Sequence, residues 1–110
     1  MSVNPDRWIF VPKNKSGEED CDFMRHFSKN VVQYNIPENE FGDLMNDGVF
    51  DRINHECDLL IDDFEDEIIP LKAIANCIRI MREYGRHKKG VFNTALKTAL
   101  DYGTFVDIEF

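Results

Sequence analysis

The chain has 110 residues, of which 43% are hydrophobic and 31% charged, and its formal net charge at pH 7 is −8. This length and composition predict one globular domain with a core of its own and argue against a disordered chain. The excess of negative charge disfavours nucleic acid and anionic membranes as direct partners, because both are polyanions. It favours a basic protein or a metal cation as partner, or serves solubility alone.

Three cysteines occur, at positions 21, 57 and 77, and no Cys-x-x-Cys pair is present. The odd count, together with a polar start that lacks the apolar segment of an export signal, predicts a reduced cytoplasmic protein. No apolar run approaches the roughly 20 residues that a membrane-spanning helix needs.

The first third of the chain predicts a strand, a helix and a second strand. Residues 7–12 form a strand that is apolar on both faces. Ser16 and Glu19 have the spacing of a capping box, which predicts a helix from residue 17 to about residue 30. Residues 31–36 alternate in the manner of a half-buried strand. The predicted buried stripe of the helix is Phe23, Met24, Phe27 and Val31.

Pro37 is suited to the first turn of a short helix, and Gly48 lies in a predicted turn. The segment 43–54 resembles a calcium loop only superficially, because methionine and asparagine occupy its third and twelfth ligand positions. Residues 57–62 fit a strand or a short helix, and we interpret them as a strand with Cys57, Leu59 and Ile61 on its buried face.

Two helices and a strand complete the chain. Apolar residues recur at helical spacing after Pro70, as far as about residue 84. A second helix is predicted over residues 91–102, with Gly103 as its C-terminal cap. Residues 104–110 alternate as a closing strand, with Asp107 and Glu109 on one face.

The pattern predicts an α+β fold. We expect a single small domain over residues 1–110, with a few-stranded sheet, an N-terminal helix and two antiparallel C-terminal helices. The terminal strands are candidates for pairing, although one sequence leaves the strand order open.

No catalytic motif is present, so the sequence predicts a non-enzyme without cofactors. Residues 55–57 (His-Glu-Cys) cannot all converge on one ion if they lie on a strand. His55 and Cys57 could do so with a third ligand from elsewhere, but a structural zinc site needs four converging ligands, so no metal site is predicted. Cys57 and Cys77 fit core positions better than a nucleophile's role. A small hydrolase using paired carboxylates or a Cys–His pair is the remaining catalytic alternative.

Charge is segregated along the chain. Residues 18–67 contain 16 acids and three bases, whereas residues 68–90 contain six bases and one acid. Five carboxylates occupy residues 62–67, interrupted only by Phe64, for which we predict a core position. A concentrated negative field attracts a basic partner and accelerates its encounter.

Helix initiation accounts for part of the acidic run, namely Asp66 and Glu67, and leaves Asp62, Asp63 and Glu65 without a structural role. These residues therefore head the candidate partner-binding set. The full set is Asp43, Asp47, Asp51, Asp58, Asp62, Asp63, Glu65, Asp66 and Glu67.

Residues 64–70 (Phe-Glu-Asp-Glu-Ile-Ile-Pro), the two helices that follow and the closing strand 105–110 resemble small bacterial immunity proteins of contact-dependent growth inhibition and related polymorphic toxin systems. The resemblance covers residues 57–110. It implies a cytoplasmic, non-catalytic protein that binds a cognate toxin domain, often a nuclease with a basic cleft, and blocks it. The acidic run would then mimic nucleic-acid phosphates.

The sequence therefore predicts an immunity protein, monomeric in itself, that forms a heterodimer with a basic nuclease toxin and contacts neither nucleic acid nor membrane directly. The alternative is a non-catalytic regulatory or adaptor domain whose basic turn, residues 86–89 (Arg-His-Lys-Lys), contacts an acidic partner.

Overall fold

A computed structural model describes residues 7–110 of the chain and shows an α+β domain. The prediction that the chain begins without an export signal concerns mainly residues 1–6, which lie outside this range. In order, the elements are β1 (Trp8–Pro12), α1 (Lys15–Asp22), β2 (Val31–Asn35), α2 (Glu38–Asn46), α3 (Val49–Cys57), β3 (Asp66–Ile69), α4 (Leu71–Met81), a 3-10 turn (Gly85–His87), α5 (Val91–Tyr102) and β4 (Val106–Glu109).

The four strands form one antiparallel sheet in the order β2-β1-β4-β3. The first and last strands therefore pair at its centre, with Ile9 opposite Ile108. This confirms the expected pairing of the terminal strands. β3 lies at one edge, where it pairs with β4 alone.

The main core contains the side chains of one sheet face and those of α2 to α5. Ile9, Val11 and Ile108 are fully buried there, as are Ile74 of α4 and Leu96 of α5. On the opposite face, Phe10 packs in a second, smaller cluster with Cys21 of α1 and Val31. β1 is thus covered on both faces, which accounts for its apolar residues on both.

The C-terminal half contains the most accurate predictions. Pro70 occupies the cap position just before α4, and α4 packs against α5. Gly103 ends α5 with φ of 69°, a left-handed conformation that glycine adopts without steric cost.

The predicted helix over residues 17–30 is much shorter in the structure. Asn14 rather than Ser16 caps α1, accepting a hydrogen bond from the Gly17 amide at 2.9 Å. The chain turns after Asp22 because Met24 adopts a left-handed conformation (φ 59°) and Ser28 donates to Asp20 at 2.6 Å. The predicted buried stripe is therefore wrong for its first three residues, Phe23, Met24 and Phe27, which are exposed.

The predicted strand over residues 57–62 is wrong. Cys57 ends α3, and the next residue, Asp58, is left-handed (φ 57°), which stops the helix. Leu59 and Ile61 are nevertheless buried and Leu60 exposed, as the alternation predicts. The strand that does form is β3, because β4 supplies its hydrogen-bonding partners. It begins with Asp66 and Glu67, so the assignment of these two residues to helix initiation is wrong.

Within residues 7–110, no helix combines the length and apolarity needed to cross a membrane.

Candidate functional site

The segment 58–65, here called the acidic loop, is held by side chains that bind its backbone at Leu60 and Ile61. The Asn54 amide donates to the Ile61 carbonyl and its oxygen accepts from the Ile61 amide, both at 2.8 Å. Glu67 accepts a hydrogen bond from the Leu60 amide, also at 2.8 Å. The loop therefore has a defined conformation, although its backbone belongs to no helix or strand.

Two large apolar residues point outward from the acidic loop. Leu60 is 79% exposed and Phe64 is 75% exposed. The prediction that Phe64 is a core residue is therefore wrong. Phe64 also has φ of 61°, a conformation that costs a bulky side chain on the order of 1–3 kcal/mol. The fold thus holds an aromatic ring in water at an energetic cost.

Three carboxylates accompany these residues. Asp51 of α3 together with Asp62 and Glu65 of the acidic loop line a shallow groove of about 270 Å³, with Leu60 among its walls. Among residues 7–110, none of the three has a cationic group within ion-pair distance. The groove is therefore negatively charged without internal compensation.

Asp63 has a structural partner that the sequence does not reveal. Its carboxylate accepts a hydrogen bond from Arg7 at 2.6 Å, and Arg7 also pairs with Glu38 at 2.8 and 3.1 Å. The Arg7 guanidinium lies 3.7 Å from the centre of the Phe41 ring. Asp63 thus ties the acidic loop to β1 and α2.

Four other predicted partner-binding residues also have roles within the fold. Asp47 accepts from Arg86 at 2.7 and 2.8 Å and contacts His87 at 2.7 Å. These hydrogen bonds lower the pKa of Asp47 to about 2. Asp43 lies 3.6 Å from Arg86, Asp58 ends α3, and Glu67 anchors the acidic loop.

Folding partly cancels the charge segregation seen along the chain. Arg52 bridges Glu56 and Glu83 at 2.6 Å each, and Arg79 contacts Glu56 at 3.0 Å. Arg86, the first residue of the basic turn proposed as an adaptor contact, is held by Asp47. In the part of the chain that the structure describes, carboxylates without an ion pair remain at the acidic loop and at the neighbouring edge of the sheet, and also on α1.

That sheet edge forms a second acidic cluster. Asp66 of β3 lies directly opposite Glu109 of β4, and Ile68 lies opposite Asp107. His26 Nε2 is 2.9 Å from Asp107 Oδ2 and 2.6 Å from Glu109 Oε2. Burial, and then the charge of Glu109, raises the pKa of Asp107 to about 6.

Cys21 completes this cluster. Its sulfur, His26 and Asp107 offer ligand atoms that all lie within 4.8 Å of one another. Burial raises the pKa of the Cys21 thiol to about 12, with the nearby carboxylates adding to the effect. A groove of about 260 Å³ runs beside these groups, with Met24 and Ile68 as its apolar walls.

The sequence does not predict this cluster. Alternation along the closing strand does place Asp107 and Glu109 on one face. Nothing in the sequence connects them with His26, which lies 81 residues from Asp107 and approaches it only through the turn that ends α1.

No protein-family model matches the chain, and no significant match is found among curated proteins. Among solved structures, the chain is similar to a Neisseria DNA mimic protein, DMP12, with a TM-score of 0.57 and 16% sequence identity. The match covers 96% of this chain and 100% of that one. At this identity the likeness establishes a shared fold across almost the whole domain.

Proposed function

We propose that this chain binds a basic, nucleic-acid-binding protein and occupies the surface on which that protein holds nucleic acid. The observation that carries the proposal is the groove of Asp51, Asp62 and Glu65, whose carboxylates have no internal cation among residues 7–110. A fixed backbone presents these charges, so little conformational entropy is lost when a partner binds.

The shared fold supports this form of recognition. The similar Neisseria protein is described as a DNA mimic. Carboxylates on a rigid surface substitute for phosphates because both accept charge-assisted hydrogen bonds from arginine and lysine. In the present chain, the groove and the adjoining Asp66 would take that role.

Leu60 and Phe64 add apolar contacts, which phosphate groups cannot make. Binding energy at protein interfaces is concentrated in a few desolvated residues, and aromatic side chains are prominent among them. The strained, exposed Phe64 suits such a contact. Carboxylates would then guide the encounter, and the apolar pair would slow dissociation.

The specific partner that we propose is the nuclease domain of a polymorphic toxin, with this chain acting as its cytoplasmic immunity protein. Three considerations support it: the resemblance over residues 57–110, the net charge of −8 and the basic cleft that a nuclease needs. The chain would act without catalysis, as one monomer against one toxin domain.

Co-expression with the toxin domain encoded beside this protein's gene tests the proposal. We expect growth to be rescued and a 1:1 complex to be purified, from which a DNA duplex displaces this protein. Absence of both rescue and complex would refute the immunity role. A complex that excess DNA leaves intact would refute mimicry of nucleic acid and indicate binding away from the toxin's substrate cleft.

A further inference from the structure

The cluster at the β3–β4 edge brings together three side chains whose ligand atoms all lie within 4.8 Å of one another, and Glu109 lies beside them, 2.6 Å from His26. Cys21 comes from the last turn of α1, His26 from the turn that follows, and Asp107 and Glu109 from one face of β4. Cys21 and Asp107 are each 6% exposed. The His26 ring packs on Phe10 with centroids 4.5 Å apart. These groups are therefore held in place rather than gathered by chance on a mobile surface.

Two carboxylates converge on one ring nitrogen of His26, an arrangement that favours a cation between them. Its Nε2 atom lies within hydrogen-bonding distance of two carboxylate oxygens, at 2.9 Å and 2.6 Å. A ring nitrogen carries at most one hydrogen and cannot donate a linear bond to both. Asp66 adds a third carboxylate directly opposite Glu109. A divalent ion between these atoms would satisfy all of them together.

The set of donors matches zinc better than other common ions. Calcium and magnesium prefer oxygen ligands only, whereas zinc accepts thiolate, imidazole and carboxylate in a tetrahedral arrangement. Zinc bonds of about 2.0–2.3 Å place neighbouring ligand atoms about 3.3–3.7 Å apart. The distance from His26 would thus have to open by at least about 0.4 Å to Asp107 and by at least about 0.7 Å to Glu109, whose side chain is partly exposed and can move.

We propose that Cys21, His26, Asp107 and Glu109 bind one zinc ion in a structural site that fixes the turn after α1 to β4. The four protein ligands fill a tetrahedral coordination shell, so no position is left for a substrate. On binding, the Cys21 thiol releases its proton to solvent and the thiolate becomes a ligand. The site holds the exposed Met24 beside Ile68, at the rim of the acidic sheet edge.

Cobalt and zinc titrations of the purified, reduced, metal-free protein test this site. We expect one Co²⁺ per chain, with the ultraviolet thiolate-to-cobalt charge-transfer band and the intense visible bands of tetrahedral coordination. Zinc should displace the cobalt and raise the midpoint temperature of unfolding. Absence of stoichiometric binding, or a spectrum of octahedral oxygen coordination alone, would overturn the proposal.

Matched variants locate the ion. Cys21→Ser and His26→Gln should each weaken zinc binding by at least about 10-fold, and Cys21→Ser should abolish the charge-transfer band. Cys57→Ser and His55→Gln replace the same residue types outside the cluster and should bind as the wild type does. Circular dichroism of the metal-free variants shows whether they fold, and Asp107→Asn provides a third ligand variant. Equal affinity in ligand and control variants would contradict the proposal.

Discussion

At the scale of single residues, Arg7 makes the contacts on which the position of the acidic loop depends. Its side chain is 5% exposed and joins Glu38 of α2 with Asp63 of the acidic loop, while its guanidinium covers Phe41. A buried arginine is stable only when its charge is paired, so the three elements constrain one another. Asp63 therefore acts within the fold, and the proposed binding role falls to Asp62 and Glu65.

Replacing Arg7 tests this assignment. Arg7→Ala removes the cation and its packing on Phe41 and should lower the free energy of unfolding by about 2–3 kcal/mol. Urea denaturation at pH 7 measures the loss. Arg25→Ala is the control, because the Arg25 side chain is 62% exposed and its ion-pair partner is the nearby Asp20. A loss no larger than that of the control would show that Arg7 does not organise this junction.

The contribution of Asp47 to the stability of the fold depends on pH. The pKa of this carboxyl is about 2 in the folded chain, below its ordinary value of 3.8, because Arg86 and His87 bind the charged form. Its contribution to stability is therefore complete above about pH 4 and is lost as the pH falls towards 2.

Thermal unfolding of wild type and Asp47→Asn between pH 2 and pH 7 measures this effect. The wild type should be the more stable of the two at pH 6, and the difference should shrink below pH 4. The same comparison in an Arg86→Gln background should show a weaker pH dependence. A constant difference across the range would contradict the assignment.

At the scale of secondary-structure elements, the packing of α1 depends on a glycine. A methyl group at Gly17 would lie 2.2 Å from the Asn30 carbonyl oxygen, a backbone atom that cannot move aside cheaply. A methyl group at Gly42 of α2, in contrast, would meet no neighbouring atom of residues 7–110 within 4 Å. The two positions thus differ in packing, although both are helical glycines.

The two alanine substitutions should therefore have opposite effects. Gly17→Ala should lower the free energy of unfolding by about 1–3 kcal/mol through overpacking. Gly42→Ala should raise it by about 0.5–1 kcal/mol, because alanine favours the helix and restricts the unfolded chain. Chemical denaturation measures both. Equal signs for the two changes would contradict the packing described for α1.

Helices and strands are predicted well where the spacing of apolar residues within the segment itself indicates them. The helical spacing that begins after Pro70 and the alternation in β1, β2 and β4 need no information from elsewhere. Helix α3 is not predicted, although Val49, Phe50 and Ile53 recur at helical spacing, because its segment is interpreted only as a turn with a calcium-like spacing of acids. β3 has four residues at a sheet edge, and its pairing with β4 joins residues about 40 apart in sequence.

The candidate site is predictable only in part, for the same reason. The acidic run at residues 62–67 is evident from the local sequence alone. Which carboxylates remain available depends on partners distant in sequence, such as Arg7 for Asp63. The outward orientation of Phe64 depends on a backbone conformation that propensity does not favour.

At the scale of the whole molecule, the chain combines a net charge of −8 with internal pairing of most of its arginines. Between residues 7 and 110, carboxylates without an ion pair lie on the acidic loop and along the adjoining sheet edge, and others lie on α1 and α5. Such a distribution favours fast, salt-sensitive association with a basic surface. It also leaves the face of the acidic loop, with Leu60 and Phe64, as the surface on which binding would depend most.

The association rate constant for the toxin domain, measured by stopped flow at low and high salt, shows whether the acidic loop guides binding. Asp62→Lys with Glu65→Lys should slow association by at least about 10-fold at low salt, and by less at high salt. The control, Glu19→Lys with Asp101→Lys, makes the same change in net charge at exposed positions on α1 and α5. It should reduce the rate much less. Equal rates for the two variants would show that the acidic loop does not guide binding.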